Sequence, residues 1–233
     1  MLKNCLIALF SLGLALFLSC KQQDSSKENG QNAKHPTHDA NAHMHQSSTE
    51  ELIRRFSNPQ RDEWQQPIEV LETMVLDSSM AVMDIGTGSG YFSLRLAPMV
   101  KKLIAADVEE AFLMHVQKMA DSLYLSNIDT MLIPMDGPEH VKTPLDRILI
   151  VNTYHHISDR VSYFKKLRKW INEKGILYIV DFRKNINGPD VPGPPKEHKL
   201  NHQLVSEELE RASWKNIQVD TMTLPYQYII RAE

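Results

Sequence analysis

Cysteine is almost absent: the 233 residues hold two, Cys5 and Cys20, both near the start. From Lys21 onward the chain has no thiol, which excludes an intramolecular disulfide, a cysteine nucleophile and a thiolate metal site there. An excess of positive charge is also missing, with 26 Lys and Arg against 29 Asp and Glu. No general electrostatic attraction to nucleic acid follows from that balance, so nucleic acid is not an expected partner. The densest basic run, Lys165, Lys166, Arg168 and Lys169, interleaves with Phe164, Leu167 and Ile171 at helical spacing and reads as a solvated face. Internal repeats are absent, so a solenoid is excluded.

Long hydrophobic runs are scarce as well. The stretch from Leu6 to Leu18 follows Lys3 and is shorter than the roughly 20 residues of a spanning helix, so it reads as a signal peptide rather than a span. An uncleaved N-terminal anchor or a buried helix is the alternative, and an anchor too would tether the chain. The run ends in Phe17-Leu18-Ser19-Cys20, which resembles a bacterial lipoprotein lipobox, with Phe17 where Leu is usual. The resemblance implies a signal peptide over 1–19 and several acyl chains on Cys20, enough for a stable membrane anchor. It places the protein in the bacterial cell envelope. Lys21 rather than Asp after the cysteine favours the outer membrane, at its periplasmic side or surface.

Residues 20–48 hold no aromatic and almost no large apolar residue, so a polar, disordered tether is expected. Its His35, His38, His43 and His45 offer imidazoles for weak metal binding, while a plain polar linker is the alternative. The folded domain is assigned to 49–233. There the periodicity predicts helices over Thr49–Phe56, Ile68–Val75, Tyr91–Met99, Glu109–Leu125 and Arg160–Ile171, and one begun by Ser206. Strands are expected at Ala81–Ile85, Lys102–Ala106, Thr130–Ile133, Arg147–Val151 and Ile176–Val180, with a final hairpin near Ile217–Met222 and Tyr226–Ile230. The order is that of β/α units in a mainly parallel sheet.

The chemistry gathers at strand ends. Val82-Met83-Asp84-Ile85 runs into Gly86-Thr87-Gly88-Ser89-Gly90, then Tyr91-Phe92 at the start of a helix. Ligands bind at the carboxyl ends of parallel strands, and glycines let them approach the backbone. A dinucleotide fingerprint would need a glycine at 91, where Tyr91 stands, so a nicotinamide enzyme is disfavoured. The second strand ends in Asp107, placed to accept two ribose hydroxyls or to cap the next helix. The third ends in Asp136-Gly137, which alone would mark only a turn. Three acids at three successive strand ends point to one ligand surface.

The G-x-G-x-G loop after Asp84 resembles motif I of class I S-adenosylmethionine-dependent methyltransferases. Segments RFSNPQRDEWQQP, GPPKEHKL and LPYQYII extend the likeness over most of 54–231, toward a bacterial methyltransferase-like subfamily of unsettled substrate. That resemblance implies a Rossmann-like α/β fold: a seven-stranded, mostly parallel sheet with a C-terminal antiparallel hairpin and helices on both faces. It implies S-adenosyl-L-methionine as cofactor, held by Asp84, Gly86, Thr87, Gly88 and Gly90 at the methionine and ribose part. Asp107 would take the ribose, Val108 the adenine face, and Asp136 with Gly137 the adenine amino group. Asn152 and the following His155 and His156 resemble motif IV beside the transferred methyl, with a histidine as candidate base. Asp181, ending the fifth strand, is a further candidate, or else pairs with Arg183 or Lys184. Trp64 and Gln65 fall where such segments cover the cofactor, and His198 and Tyr226 are candidates for facing substrate.

The expected activity is methyl transfer to an unidentified small-molecule or envelope acceptor, with no metal required. A membrane-tethered binding module without turnover is the alternative, because the donor is made in the cytoplasm.

Overall fold

The computed structural model describes residues 47–233. The expected signal peptide, the expected lipidation site Cys20 and the histidines of the expected tether all lie outside those residues. The first helix, α1 (Thr49–Phe56), is capped by Ser48, whose side chain accepts from the Glu51 amide at 3.3 Å. Glu50 and Glu51 in its first turn and Arg54 and Arg55 in its last suit the helix dipole. A short α2 (Arg61–Gln65) and α3 (Pro67–Thr73) meet at Gln66, whose φ of 45° turns the chain between them. Pro67 opens α3, where its missing N–H costs nothing.

Seven strands follow: β1 (Ala81–Ile85), β2 (Lys102–Asp107), β3 (Ile128–Leu132), β4 (Leu145–Val151), β5 (Ile171–Phe182), β6 (Gln218–Asp220) and β7 (Gln227–Ala232). They form one sheet in the order β3-β2-β1-β4-β5-β7-β6. Pairs among β1 to β5 are parallel, whereas β7 runs antiparallel to β5 and β6. The seven-stranded, mostly parallel Rossmann-like sheet with its antiparallel C-terminal strands is therefore as expected. Between the strands lie α4 (Ser93–Leu96), α5 (Glu110–Ser122), α6 (Arg160–Leu167) and α7 (His202–Arg211).

Strand alternation divides the core into two layers. Val82, Leu103, Ala105, Leu149 and Val180 pack with Val70 and Leu71 of α3, Leu96 of α4 and Val116 and Ala120 of α5. Met83, Ile104, Ile148, Ile179 and Ile230 pack on the other face with Phe164 and Leu167 of α6 and Val205 and Leu209 of α7. Each such fully buried aliphatic side chain contributes about 1.5–3 kcal/mol. Both faces are covered by helices, which is what near-continuous apolar strands require.

Several boundaries differ from the sequence reading. Ser206 does not start α7: Asn201 precedes it in extended conformation, and Ser206 Oγ instead donates to the His202 carbonyl at 2.9 Å, inside the helix. The helix read as Tyr91–Met99 is a single α-turn, α4, followed by a 3-10 turn at Ala97–Met99. α6 ends at Leu167, and Ile171 already belongs to β5, where it pairs with Leu145 before a register shift.

Candidate functional site

The glycine loop leaves β1 and is tied at once to β2: the amides of Gly86 and Thr87 both donate to the Ala106 carbonyl, at 2.8 and 3.1 Å. Gly86, Gly88 and Gly90 have φ of 74°, 50° and 77°, a region that favours glycine. A Cβ at Gly86 would lie 2.2 Å from Thr153 Oγ1, so the close approach of the loop to β4's end also demands glycine.

Two carboxylates flank this loop. Asp84 is 2 % exposed, and its Oδ2 accepts from Ser93 Oγ at 2.7 Å. Thr87 Oγ1 lies 2.8 Å from Ser93 Oγ and, with that proton committed to Asp84, donates to it. Burial outweighs these bonds and pushes Asp84 up to about 6. Asp107 is also buried, accepting the Gly88 amide on Oδ2 at 2.9 Å and the Glu109 amide on Oδ1 at 3.1 Å. Desolvation raises it, against the lowering effect of those amides. Glu109, not Asp107, is the N-cap of α5, so the capping alternative for Asp107 is corrected. Neither acid has a cation within 4 Å among the described residues.

Asp136 differs. It is exposed and ion-paired with Lys166, whose proximity lowers it. Lys166 of the basic run is thus engaged rather than simply solvated. Gly137 has φ 101°, and a Cβ there would lie 3.2 Å from the Tyr163 ring; Val108 is exposed beside Asp107, free to offer an apolar surface.

On the opposite face of the sheet Asp181 has no exposure and holds His155, with both Oδ atoms 2.9 Å from Nδ1 and Oδ2 accepting the His155 amide at 3.2 Å. The proposed pairing of Asp181 with Arg183 or Lys184 is therefore wrong: Arg183 donates instead to the carbonyls of Thr221, Leu224 and Pro225. His156 stacks on His155 with ring centroids 4.3 Å apart. Tyr228, opposite Asp181 in the register, is fully buried with an unpartnered hydroxyl, and burial raises it well above the usual phenol range.

Asn152, at φ 56°, directly follows β4 and joins a closed ring of three amides. Its Nδ2 donates to Gln65 Oε1 at 3.1 Å, Gln65 Nε2 donates to Gln227 Oε1 at 2.6 Å, and Gln227 Nε2 donates to Asn152 Oδ1. Gln65 and Gln227 are both fully buried, so this ring ties α2 to the ends of β4 and β7. Trp64 stacks near Phe182 at 5.6 Å. His198 is buried, whereas Tyr226 is only part-buried. Sequence reasoning missed Gln227 and Ser93. Only the position of Ser93 one turn into the helix after the loop hinted at contact with Asp84. Among the described residues no group of three or more His, Cys, Asp or Glu is placed to hold a metal ion.

A family model described as "Methyltransferase domain" matches residues 76–225. An uncharacterized methyltransferase of Schizosaccharomyces pombe is 27% identical over 116 residues, covering 46% of this chain and 40% of that protein. The (S)-tetrahydroprotoberberine N-methyltransferase of Eschscholzia californica is 28% identical over 110 residues, 46% of this chain and 31% of that protein. The chain thus spans less than half the length of these relatives. A SAM dependent methyltransferase from Aquifex aeolicus shares the fold, with a TM-score of 0.70 at 24% identity over 80% of this chain and 98% of that one. With its strand-end acids, its glycine loop and a family match over well more than half its length, the chain belongs to the methyltransferase-domain family.

Proposed function

We propose that the chain is an S-adenosyl-L-methionine-dependent methyltransferase acting on an acceptor bound beside β4, β5 and β7. The observation that carries this is the glycine loop set between two desolvated carboxylates, Asp84 and Asp107, with no cation paired to either. When bound, the cofactor supplies an electrophilic sulfonium methyl. Asp84 offers a charge that burial leaves wanting an ammonium partner, and Asp107 keeps lone pairs beyond its two amide bonds for ribose hydroxyls. Gly86, Gly88 and Gly90 leave room for close approach, while Val108 lies open to the adenine and Asp136 with Gly137 marks its far edge.

On the acceptor side, Asp181 fixes the ring of His155 through Nδ1, which leaves Nε2 to take a proton from a protonated nucleophile. His156 shares that turn, and Asn152 is held rigid by its amide ring to orient what enters. Rate enhancement comes mainly from alignment of nucleophile and methyl.

The N-terminal run and Cys20 support anchoring the domain to the bacterial envelope by lipid. That placement favours, as second reading, a tethered cofactor-binding module without turnover. Labelled-methyl transfer from S-adenosyl-L-methionine to fractionated envelope material tests the first reading. Incorporation that Gly86→Asp abolishes is expected; cofactor binding with no incorporation selects the second. Cys20→Ala is expected to release the protein from membranes, and unchanged membrane retention would contradict the anchor.

A further inference from the structure

We propose that the cavity between the end of β5 and the start of α7 receives an anionic head group of the methyl acceptor, a phosphate or a carboxylate. The inference rests on the methyl-transfer reading above and names the chemical class of its acceptor.

Residues 183–185, just beyond β5, and 200–203, where α7 begins, enclose a cavity of about 210 Å³. Pockets that enclose a whole small ligand measure roughly 300–1,000 Å³, so this one takes a head group and leaves the rest of the molecule outside. Arg183, Lys184 and His202 line it with Asn185, Asn201 and Gln203. Among the described residues no acid lines it, and neither Arg183 nor Lys184 pairs with a carboxylate within 4 Å. The Arg183 guanidinium donates only to the carbonyls of Thr221, Leu224 and Pro225, and its Nε is buried without a partner. Asp181, two residues earlier, is committed to His155.

An anion entering this cavity therefore meets two cations and displaces no existing partner. Lys184 offers an ammonium with three donors, and the His202 imidazole adds a ring N–H. α7 begins without a side-chain cap, so the positive end of the helix lies at the same cavity and reinforces the side-chain charge. The wall is held in advance: Lys199, only 3 % exposed, donates to the Ile186 carbonyl at 2.8 Å and closes the loop after β5 onto the segment that leads into α7. The position suits the reaction as well. β5 runs from Asp181, which orients His155, directly to Arg183, and His202 packs edge-on against Tyr228, which lies opposite Asp181 in the register. An acceptor anchored here by its anion extends toward the turn that carries His155.

Proton–nitrogen NMR of the full-length protein with S-adenosylhomocysteine tests this, with inorganic phosphate or acetate titrated against chloride at matched ionic strength. Saturable shifts of the His202 and Gln203 amides are expected, with a Kd on the order of 1 mM. Response to phosphate identifies a phosphate head group, and response to acetate alone a carboxylate. Lys184→Glu is expected to weaken the binding about tenfold or more, and Lys184→Arg to hold it within about threefold. No saturable shift from either anion, or an unchanged Kd in Lys184→Glu, would overturn the proposal. In the labelled-methyl assay the product is expected to be retained on an anion-exchange resin, and label confined to neutral or cationic product would overturn it too. Anion binding without any label transfer overturns the methyl-transfer reading on which the acceptor role rests, whereas transfer without anion binding overturns this proposal alone.

Discussion

The two faces of the sheet treat buried carboxylates in opposite ways. Toward α3, α4 and α5, Asp84 and Asp107 are desolvated and held by hydroxyls and amides alone. Toward α6 and α7, Asp181 is closed onto His155, and Glu208 accepts from Arg160 at 2.7 and 2.9 Å and from Tyr154 at 2.7 Å. Charge left unneutralised in a folded protein is held for something else, whereas charge already paired orients its partner. On the function proposed above, the first face receives the cationic cofactor, whereas the second holds a histidine of fixed orientation. Thr153, against Gly86, is where the two approach each other.

That contrast can be broken in graded steps. Gly86→Ala places a methyl against Thr153 at a left-handed position, and S-adenosylhomocysteine affinity is expected to fall on the order of 100-fold by calorimetry. Asp181→Ala frees the buried His155 Nδ1 and is expected to remove about 2 kcal/mol of stability in urea melts, while cofactor affinity stays within about twofold. Asp84→Asn reverses that signature. Affinity is expected to drop roughly 20-fold, whereas Tm holds or rises, because a desolvated charge is gone. Asp136→Ala is expected to change affinity less than about threefold, since that exposed carboxylate is already shared with Lys166.

The first face was the more legible in the sequence. Glycines and acids at strand ends are local signals, and Asp84, Asp107 and the loop stand where their spacing puts them. The second face depends on pairs distant in the chain: Asp181 finds His155 from a neighbouring strand, and its expected partner Arg183 turns instead to the loop before β7. The amide ring joins residues 65, 152 and 227, which no periodicity connects.

Asp84 also sets a pH signature. Its folded value of about 6 stands above the 3.8 of an unfolded aspartate, so the folded form holds an extra proton between them and stability falls as pH rises through that window. The full cost of the charged form, roughly 3 kcal/mol at 1.36 kcal/mol per unit, is present above about pH 6. A ligand ammonium offsets that cost, so binding expels the proton and affinity rises with pH up to about 6.

The most direct measurement is calorimetric titration of S-adenosylhomocysteine at pH 5 and pH 7, in buffers of differing ionisation enthalpy. Roughly tenfold weaker binding at pH 5 with proton release is expected, both absent in Asp84→Asn. Affinity that is the same at both pH values, or a pH dependence that survives in Asp84→Asn, would contradict it.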